Sequence, residues 1–338
     1  MQLRQVVKQI PRPVPTLVGQ TIRTGLASVR NRKIVPIVTS RCPSFHRGFQ
    51  VPELPEVETM VRGIARHVTG RRLVASGRYR CRYRPIEVTP AAAVIRRRVD
   101  GARITGVRRI GKRVIIDLDT DESFVIEPRM TGLMLVTDPP DRSHLRYRWQ
   151  MEPSSAPGLV DELFFWDRRG LGTIRLLTPE ELAERLGPPR LGPDALELGV
   201  ADWRRLCSRT GRAIKVAMLD QSLIAGIGNL YASEILFRAR IDPARPADRI
   251  ADEEAGRLSR AARTVLNEAI RHEGSTLSDG TYRNALNQDG GYQNSHRVYD
   301  RAGEPCPCCE VPIVRVVQAQ RSTFFCPACQ PAIGGEVA

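Results

Sequence analysis

Four cysteines near the carboxyl terminus constrain the fold of this chain more than any other feature of its sequence. Cys306 and Cys309 form one C-x-x-C motif, and Cys326 and Cys329 form a second. Sixteen residues separate the two motifs. Two such pairs can arrange four thiolates tetrahedrally around one Zn²⁺ ion. Because protein ligands then fill all four coordination positions, the pattern predicts a structural zinc and not a catalytic one.

The stretch between the two pairs predicts a small zinc ribbon over residues 300–332. Pro312–Gln318 and Thr323–Phe325 are rich in β-branched and aromatic residues, which favours the two strands of a hairpin. Cys308 lies inside the first pair and is expected to be a bystander, although competition as a ligand stays open. A disulfide framework is the less favoured alternative, because a chain of 338 residues can bury large cores and shows no secretory signal.

Composition excludes one class of protein and favours another. Apolar residues make up 41% of the chain, and no uncharged run approaches the roughly 18 residues of a membrane span, so we expect no integral membrane protein. The net charge of +15 indicates a polyanionic partner. A solvated basic surface is the alternative. Arg315 and Arg321 lie on the predicted ribbon, where they would face a polyanion.

The first fifty residues differ in composition from the rest. They contain nine Lys or Arg, no Asp or Glu, and five prolines, and no periodic apolar pattern persists there. Such a composition predicts disorder. Three interpretations are open: a basic arm that binds nucleic acid, an acid-poor targeting segment, or a stretch that is not translated in the cell.

Lysine is rare among the basic residues. Only four of the 52 are lysine, and beyond residue 50 only Lys112 and Lys215 remain. Arginine cannot replace lysine where a compact or deprotonatable ammonium group is needed. Both lysines are therefore candidates for a functional site, with chance retention as the alternative.

Hydrophobic periodicity predicts an α+β protein. The spacing of apolar residues predicts a helix over Glu56–Val68, and Pro188, Pro189 and Pro193 mark a linker. Short β-like runs between them predict a β-sandwich or barrel within residues 52–185, with strands at Ile104–Ile110, Arg113–Leu118, Ser123–Ile126, Leu133–Val136, Leu145–Gln150, Leu163–Asp167 and Thr173–Leu177. Helical patterns predict a second domain over 195–285, with helices at Ala201–Cys207, Gly211–Leu219, Asn229–Arg238 and Asp252–His272.

The segment Ile224–Tyr231 reads IAGIGNLY and lies between two predicted helices. Gly226 and Gly228 permit tight turns, and Asn229 is expected to cap the following helix. The free N–H groups of a helix N-terminus form a ready phosphate site. A plain helix hairpin is the alternative, and the nearby Lys215 favours the phosphate interpretation.

Three motifs resemble bacterial formamidopyrimidine-DNA glycosylase: PELPEVE at Pro52–Glu58, GIGNLYASE at Gly226–Glu234 and AQRSTFFC at Ala319–Cys326. The resemblance runs from residue 52 to 330. It implies an N-terminal helix with a β-sandwich domain, a helix-two-turn-helix domain and a zinc ribbon. The implied activity is that of a bifunctional glycosylase and AP lyase for oxidised purines in damaged double-stranded DNA, located in the bacterial cytoplasm and associated with the nucleoid. We expect a monomer, because one lesion in a duplex requires only one active site. Leu54 distinguishes the chain from the endonuclease VIII group, which opens with a PEGPE-like motif.

The resemblance implies a catalytic set. The α-amine of Pro52 would attack C1′ of the lesion sugar, and Glu53 would act as general acid and base. Lys112 would lie near the sugar and phosphate, and Arg321 would grip the phosphates that flank the lesion. β- and δ-Elimination would then release the 3′ and 5′ phosphates. Two further residues would complete the phosphate contacts: Lys215 and Asn229.

The resemblance also implies a set that reads the opened duplex. Met130 would fill the space of the extruded base, Arg169 would hydrogen-bond the widowed cytosine, and His144 would contact DNA. The chain departs from the family's usual Arg-Arg-Phe, since Gly170 and Leu171 follow Arg169. Leu171 can still act as a wedge but stacks less well, and Gly170 lacks a phosphate contact.

The extension poses a chemical problem for this assignment. In the 338-residue chain the nitrogen of Pro52 is an amide without a basic lone pair, so it cannot form an iminium ion. We hypothesise that Val51 is the true start, read as Met at a GUG codon and then removed, with proteolytic maturation as second choice. Two rival functions remain: a non-catalytic lesion-binding protein, and an endonuclease VIII-like glycosylase for oxidised pyrimidines.

Overall fold

The helix predicted near the first motif sets the position of the site. In the computed structural model, which describes residues 52–277 and 280–332, this helix, α1, spans Leu54–Val68. Its apolar residues recur every three or four positions and are buried along one face. At its start, the Glu56 carboxylate accepts the Glu53 backbone N–H at 2.9 Å, which satisfies a donor that the helix leaves free. The disorder predicted for residues 1–50 and the start proposed at Val51 lie outside the described residues.

Nine strands form two sheets, as the β-sandwich prediction requires. They are β1 (Leu73–Arg78), β2 (Glu87–Thr89), β3 (Ile104–Ile110), β4 (Arg113–Leu118), β5 (Ser123–Glu127), β6 (Gly132–Leu135), β7 (Leu145–Met151), β8 (Glu162–Asp167) and β9 (Thr173–Leu177). One sheet has the order β1-β7-β8-β6 and the other the order β2-β9-β5-β4-β3. A short helix, α2 (Ala92–Val99), follows β2.

The sandwich encloses its own hydrophobic core, to which α1 contributes one face. Phe124, Tyr147 and Trp149 lie in this core with their rings edge-on or tilted to one another, at centroid distances of 4.7 to 6.4 Å. Such aromatic contacts add to the stabilisation from apolar burial. Because α1 packs against this core, its first residues are held rigidly at one end of the sandwich.

The helical domain contains α4 (Val200–Cys207), α5 (Ile214–Met218), α6 (Asn229–Ala239) and α7 (Asp252–Arg271), and α3 (Pro179–Leu186) precedes the proline linker. The helix predicted from Gly211 begins later than expected, at Ile214, because Ala213 instead forms a bridge with Pro246. The capping role predicted for Asn229 is wrong. Gly228 is the N-cap of α6, and Asn229 is the first helical residue.

The zinc ribbon consists of β10 (Val314–Gln318) and β11 (Arg321–Phe325), which pair antiparallel. Ala319 and Gln320 join them with positive φ angles of 45° and 62°, as in the tight turns whose twist matches that of the strands. Phe324 and Cys326 belong to the core of the helical domain, so the ribbon is packed on that domain. Among the described helices, none is both long and apolar enough to cross a membrane.

Candidate active site

The carboxylate of Glu53 lies at the N-terminus of α6, 3% exposed. It accepts backbone N–H groups from Gly228 at 2.7 Å, Leu230 at 3.0 Å and Tyr231 at 3.4 Å. Burial raises the pKa of Glu53, while the charge of Lys112 and these N–H groups oppose the rise. A buried carboxyl group whose pKa is raised is suited to hold and transfer a proton. Pro52 immediately precedes it and is buried.

The GIGNLY segment has glycines because α1 approaches its backbone closely. A Cβ on Gly226, whose φ is +102°, would lie 2.5 Å from Cδ1 of Leu54. A Cβ on Gly228 would lie 2.6 Å from Oε1 of Glu53 and 2.7 Å from Nζ of Lys112. Glu53 and Lys112 therefore converge on the Cα of Gly228, and any side chain there would displace them.

The two lysines beyond residue 50 both lie at the start of α6, but their contacts differ. Lys112 lies in the turn between β3 and β4, and burial lowers its pKa, opposed by the charge of Glu53. Lys215 is 1% exposed, and burial lowers its pKa to about 7. Its ammonium group donates to Oδ1 of Asn229 (2.7 Å), the carbonyl of Ser322 (2.9 Å) and Oγ1 of Thr323 (2.8 Å). These three acceptors match the three donors of an ammonium group.

Lys215 consequently ties α5 to the start of α6 and to β11. It orients the side-chain amide of Asn229, which is half-buried at the same helix start. Arg321, the first residue of β11, is exposed and lies close enough to Lys112 and Lys215 to lower the pKa of both. Lys112 and Lys215 are thus close enough to Glu53 to interact with its charge, and Arg321 lies near both lysines.

The predicted Met130 and Arg169 lie on two loops that a buried aspartate joins. Asp167, which is 0% exposed, accepts the backbone N–H groups of Arg169 (3.1 Å) and Gly172 (2.8 Å) and the hydroxyl of Thr131. The Arg169 N–H also donates to Oγ1 of Thr131 at 2.9 Å. The residue beside Met130 is therefore fixed to the loop that presents Arg169 and Leu171.

Met130 and Leu171 are half-buried, and the side chain of Arg169 is exposed. Glu127 connects this region to the predicted catalytic residue Lys112, since it pairs with Arg113 beside Lys112 and with Arg129 beside Met130, both at 2.7 Å.

His144 is half-buried at the start of β7 and is held on two sides. Its Nδ1 lies 2.8 Å from Oδ1 of Asp141, and its ring stacks on Tyr83 with a centroid distance of 4.7 Å and an interplanar angle of 5°. The ring of Trp166 meets it edge-on at 5.6 Å. The imidazole orientation is thus fixed by its protein neighbours.

The four predicted zinc ligands come together. The sulfurs of Cys306, Cys309, Cys326 and Cys329 all lie within 4.8 Å of one another, with Cys309 to Cys326 at 3.4 Å and Cys306 to Cys329 at 3.8 Å. A tetrahedron with Zn–S bonds of about 2.3 Å has edges of about 3.8 Å, so the cluster fits one structural Zn²⁺. Cys308 is exposed and lies outside this cluster.

Three family models match consecutive parts of the chain. The N-terminal domain model of formamidopyrimidine-DNA glycosylase matches residues 51–174, the H2TH domain model of the same enzyme matches 191–281, and the zinc finger found in FPG and IleRS matches 303–332. Formamidopyrimidine-DNA glycosylase of Chloroflexus aurantiacus is 38% identical over 283 residues, which cover 83% of this chain and 98% of that protein. The chain belongs to the formamidopyrimidine-DNA glycosylase family. It is an enzyme of the DNA glycosylase and AP lyase class.

Solved structures agree with this membership. The crystal structure of MutM (Fpg) from Thermus thermophilus matches with a TM-score of 0.71 and 38% identity, covering 82% of this chain and 98% of that one. The Lactococcus lactis Fpg bound to DNA that contains an abasic site matches with a TM-score of 0.72 and 26% identity, covering 83% and 100%.

Sequence reasoning missed Glu56 of this glycosylase. It is fully buried and accepts the Tyr231 hydroxyl at 2.6 Å and the Ser275 N–H at 2.9 Å. Burial, and then the nearby Glu53 carboxylate, raise the pKa of Glu56 to about 7. Its position in the PELPEVE motif, three residues after Glu53, was the available signal.

Arg109 was also missed. Its guanidinium donates to Glu58 of α1 at 3.0 Å, to Asp194 beyond the linker and to the carbonyl of Gly111 at 3.0 Å. With a side-chain exposure of 8%, it links the sandwich domain to the linker and fixes the turn that carries Lys112. In a chain with so many arginines, no local pattern distinguished it.

Proposed function

We propose that this protein, once Pro52 is its first residue, removes oxidised purines such as 8-oxoguanine and formamidopyrimidines from duplex DNA and cleaves the abasic strand by β,δ-elimination. One observation carries the proposal: a buried carboxylate, that of Glu53, is held by three backbone N–H groups directly after Pro52 and beside Lys112. An amine, a proton carrier and a cation at one point are what imine-forming lyase chemistry requires.

The reaction begins when the Pro52 amine attacks C1′ of the lesion nucleotide. The bond from C1′ to the base breaks, and the base leaves with the bonding electrons and takes up the proton that the Pro52 nitrogen loses. Glu53 then supplies a proton to the ring oxygen as the sugar ring opens. Pro52 is a secondary amine, so loss of the ring oxygen from C1′ gives an iminium ion. Removal of a proton from C2′ then expels the 3′ phosphate. A second elimination expels the 5′ phosphate, and water releases the sugar fragment from Pro52.

A terminal amine has a pKa near ~8, so a useful fraction is neutral at physiological pH. Lys112 and Arg321 add positive charge where the sugar and its phosphates would lie, and Arg321 grips the phosphates from the exposed turn of the ribbon. Asn229, oriented by Lys215, binds a further phosphate at the start of α6. The buried Lys215 acts in this set mainly through Asn229 and β11, because its donors already have protein acceptors.

Met130, Arg169 and Leu171 serve the opened duplex. Met130 fills the space that the extruded base leaves, Leu171 wedges beside it, and Arg169 hydrogen-bonds the cytosine left unpaired. The buried Asp167 supports the proposal because it fixes both loops to each other. His144 contacts the phosphate backbone in an orientation set by Asp141 and Tyr83.

The free Pro52 amine is a requirement of this chemistry. In the 338-residue chain that nitrogen is acylated by Val51, and an amide cannot form the iminium ion. We infer that the active protein begins at Pro52, after initiation at Val51 and removal of the initiator methionine, or after proteolysis. Two observations support the inference: the family model begins its match at residue 51, and 83% of this chain covers 98% of the Chloroflexus relative.

The test is strand cleavage by the Pro52-started protein on duplexes that differ only in the lesion. With 8-oxoguanine opposite cytosine, the proposal predicts a one-nucleotide gap with phosphate at both ends, and loss of this product in the Glu53→Gln variant. Preferred cleavage of an oxidised pyrimidine duplex would overturn the purine assignment. Tight binding without any cleavage would leave a lesion-binding protein.

A further inference from the structure

The connection between β1 and β2 carries a basic and aromatic sequence that the proposed function does not use. Residues 79–85 read YRCRYRP and are called here the basic arm. Its three arginines, Arg80, Arg82 and Arg84, are exposed, as is Tyr83 at 39%. The arm contains no carboxylate. Exposed arginines alternating with aromatic residues are the chemistry that proteins use to hold nucleic-acid backbones.

A buried arginine holds the basic arm in place. Arg146 of β7 is 2% exposed, and its guanidinium donates to Sγ of Cys81 at 2.7 Å and to the carbonyl of Arg84 at 3.1 Å. The N–H of Tyr79 donates to the carbonyl of Arg146 at 2.9 Å. At the base of the arm, Arg78 donates to the carbonyl of Ile86 at 3.0 Å. The exposed arginines therefore project from a fixed backbone.

The basic arm contacts His144 and the loop that carries Arg169 and Leu171, which the proposed function places against DNA. Tyr83 stacks on His144, and the guanidinium carbon of Arg82 lies 5.0 Å from the centroid of the same Tyr83 ring. The carbonyl of Arg84 lies against Gly170, where a Cβ would approach it to 2.4 Å. Gly170 has a φ of +63°, which also disfavours a side chain. The close approach of the arm and the positive φ together favour glycine at position 170.

We propose that the basic arm binds the phosphodiester backbone of the duplex beside the lesion, with Arg82 and Arg84 supplying the positive charge. The inference rests on the proposed function, which places His144 and Arg169 against DNA. Tyr83 contributes by holding both the Arg82 guanidinium and the His144 ring. Because phosphate contacts carry no sequence information, the arm binds damaged and undamaged duplexes alike and raises affinity without altering lesion preference.

Salt-dependent DNA binding by the full chain tests the arm. The variant Arg82→Gln/Arg84→Gln removes two phosphate contacts, so the slope of log K against log[salt] becomes shallower by about 1.8. The advantage of the parent protein then shrinks about 12-fold between ~50 mM and ~200 mM salt. The same change is expected for an 8-oxoguanine duplex and for its undamaged counterpart. Fluorescence anisotropy with labelled duplexes measures both.

Two further variants make the result specific. Arg82→Lys/Arg84→Lys keeps the charge, so it restores most of the slope. Arg260→Gln/Arg263→Gln removes the same charge from exposed positions of α7 and leaves the slope as in the parent. The arm proposal would be overturned if Arg82→Gln/Arg84→Gln had the same salt slope as the parent. It would also be overturned if this variant reduced the slope no more than Arg260→Gln/Arg263→Gln does.

Failure of the arm is distinguishable from failure of the proposed function. Strand cleavage of the 8-oxoguanine duplex by the unsubstituted Pro52-started protein is measured alongside. Absence of cleavage there contradicts the enzyme assignment whatever the arm variants do. Cleavage together with an unchanged salt slope contradicts only the basic arm.

Discussion

Glu56 offers the sharpest test of the electrostatics of this site. Its carboxylate is fully buried three residues from Glu53, and each of its contacts is a donor: the Tyr231 hydroxyl and the N–H groups of Ser275 and Glu53. Burial, and secondarily the Glu53 carboxylate, raise the pKa of Glu56 to about 7 from 4.5. The substitution Glu56→Gln keeps the shape of the side chain and removes its titration.

The sign of the effect follows from proton linkage. Folded Glu56 binds its proton more tightly than the unfolded chain does, so its contribution to stability is fully present below the unfolded pKa and is lost as pH rises through about 7. Linkage between a folded pKa of about 7 and an unfolded value of 4.5 gives a loss of about 2 kcal/mol on going from about pH 5.5 to about pH 8. Glu56→Gln lacks this pH-dependent contribution to the free energy of unfolding.

Urea unfolding of both proteins at the two pH values measures it. The difference in unfolding free energy between parent and Glu56→Gln should change by about 2 kcal/mol, with the parent gaining on acidification. Taking this difference cancels titrating groups that are remote from Glu56, including the zinc thiolates, because both proteins share them. A difference that stays constant within about 0.5 kcal/mol would refute the raised pKa and the carboxyl pair argued from it.

Three other perturbations have defined outcomes. Arg109→Met breaks a largely buried ion pair with Glu58 and Asp194 and should lower the free energy of unfolding by about 2–3 kcal/mol. Its control, Arg108→Met, breaks an exposed ion pair with Asp117 and should lower the same free energy by less than about 1 kcal/mol. Urea unfolding measures both variants. Lys215→Met leaves the Thr323 hydroxyl and the Ser322 carbonyl without their donor, so hydrogen exchange of β10 and β11 should quicken, and unchanged protection would count against the anchoring role. Metal analysis should find one zinc per chain in the parent and in Cys308→Ser, and less in Cys309→Ser; equal zinc in both variants would contradict the ligand assignment.

The strand and helix predictions succeeded where periodicity was strong. Three strands, Ile104–Ile110, Arg113–Leu118 and Thr173–Leu177, have the predicted bounds. Turn-forming residues flank these β-like runs and mark where they end: Gly111, Asp119, Gly172 and Pro179. β2 is only three residues long and lies at the edge of its sheet, and α2 carries three consecutive arginines. Neither has enough apolar pattern to be recognised locally.

The residues of the candidate site could be predicted from the sequence only where they stand in short motifs. The zinc cysteines could be predicted because they stand in two short pairs with fixed spacing, and the structure brings all four together. The roles given to Pro52, Glu53 and Lys112 stay predictions. Asp167, Arg109 and Arg146 could not be predicted, since each acts through partners distant in the chain: the Arg109–Asp194 contact spans 85 residues and the Arg146–Cys81 contact spans 65. Their roles come from burial and from the partners that tertiary packing supplies.

Borohydride trapping on an 8-oxoguanine duplex tests the central claim most directly, because reduction fixes the iminium ion as a covalent protein–DNA adduct. The full chain and a protein that begins at Pro52 are compared, and peptide mass mapping locates the linkage. The account predicts an adduct on the Pro52 nitrogen of the shorter protein and none with the full chain. An adduct on Lys112 or another residue, or equal trapping by a full chain shown to retain Met1, would contradict it.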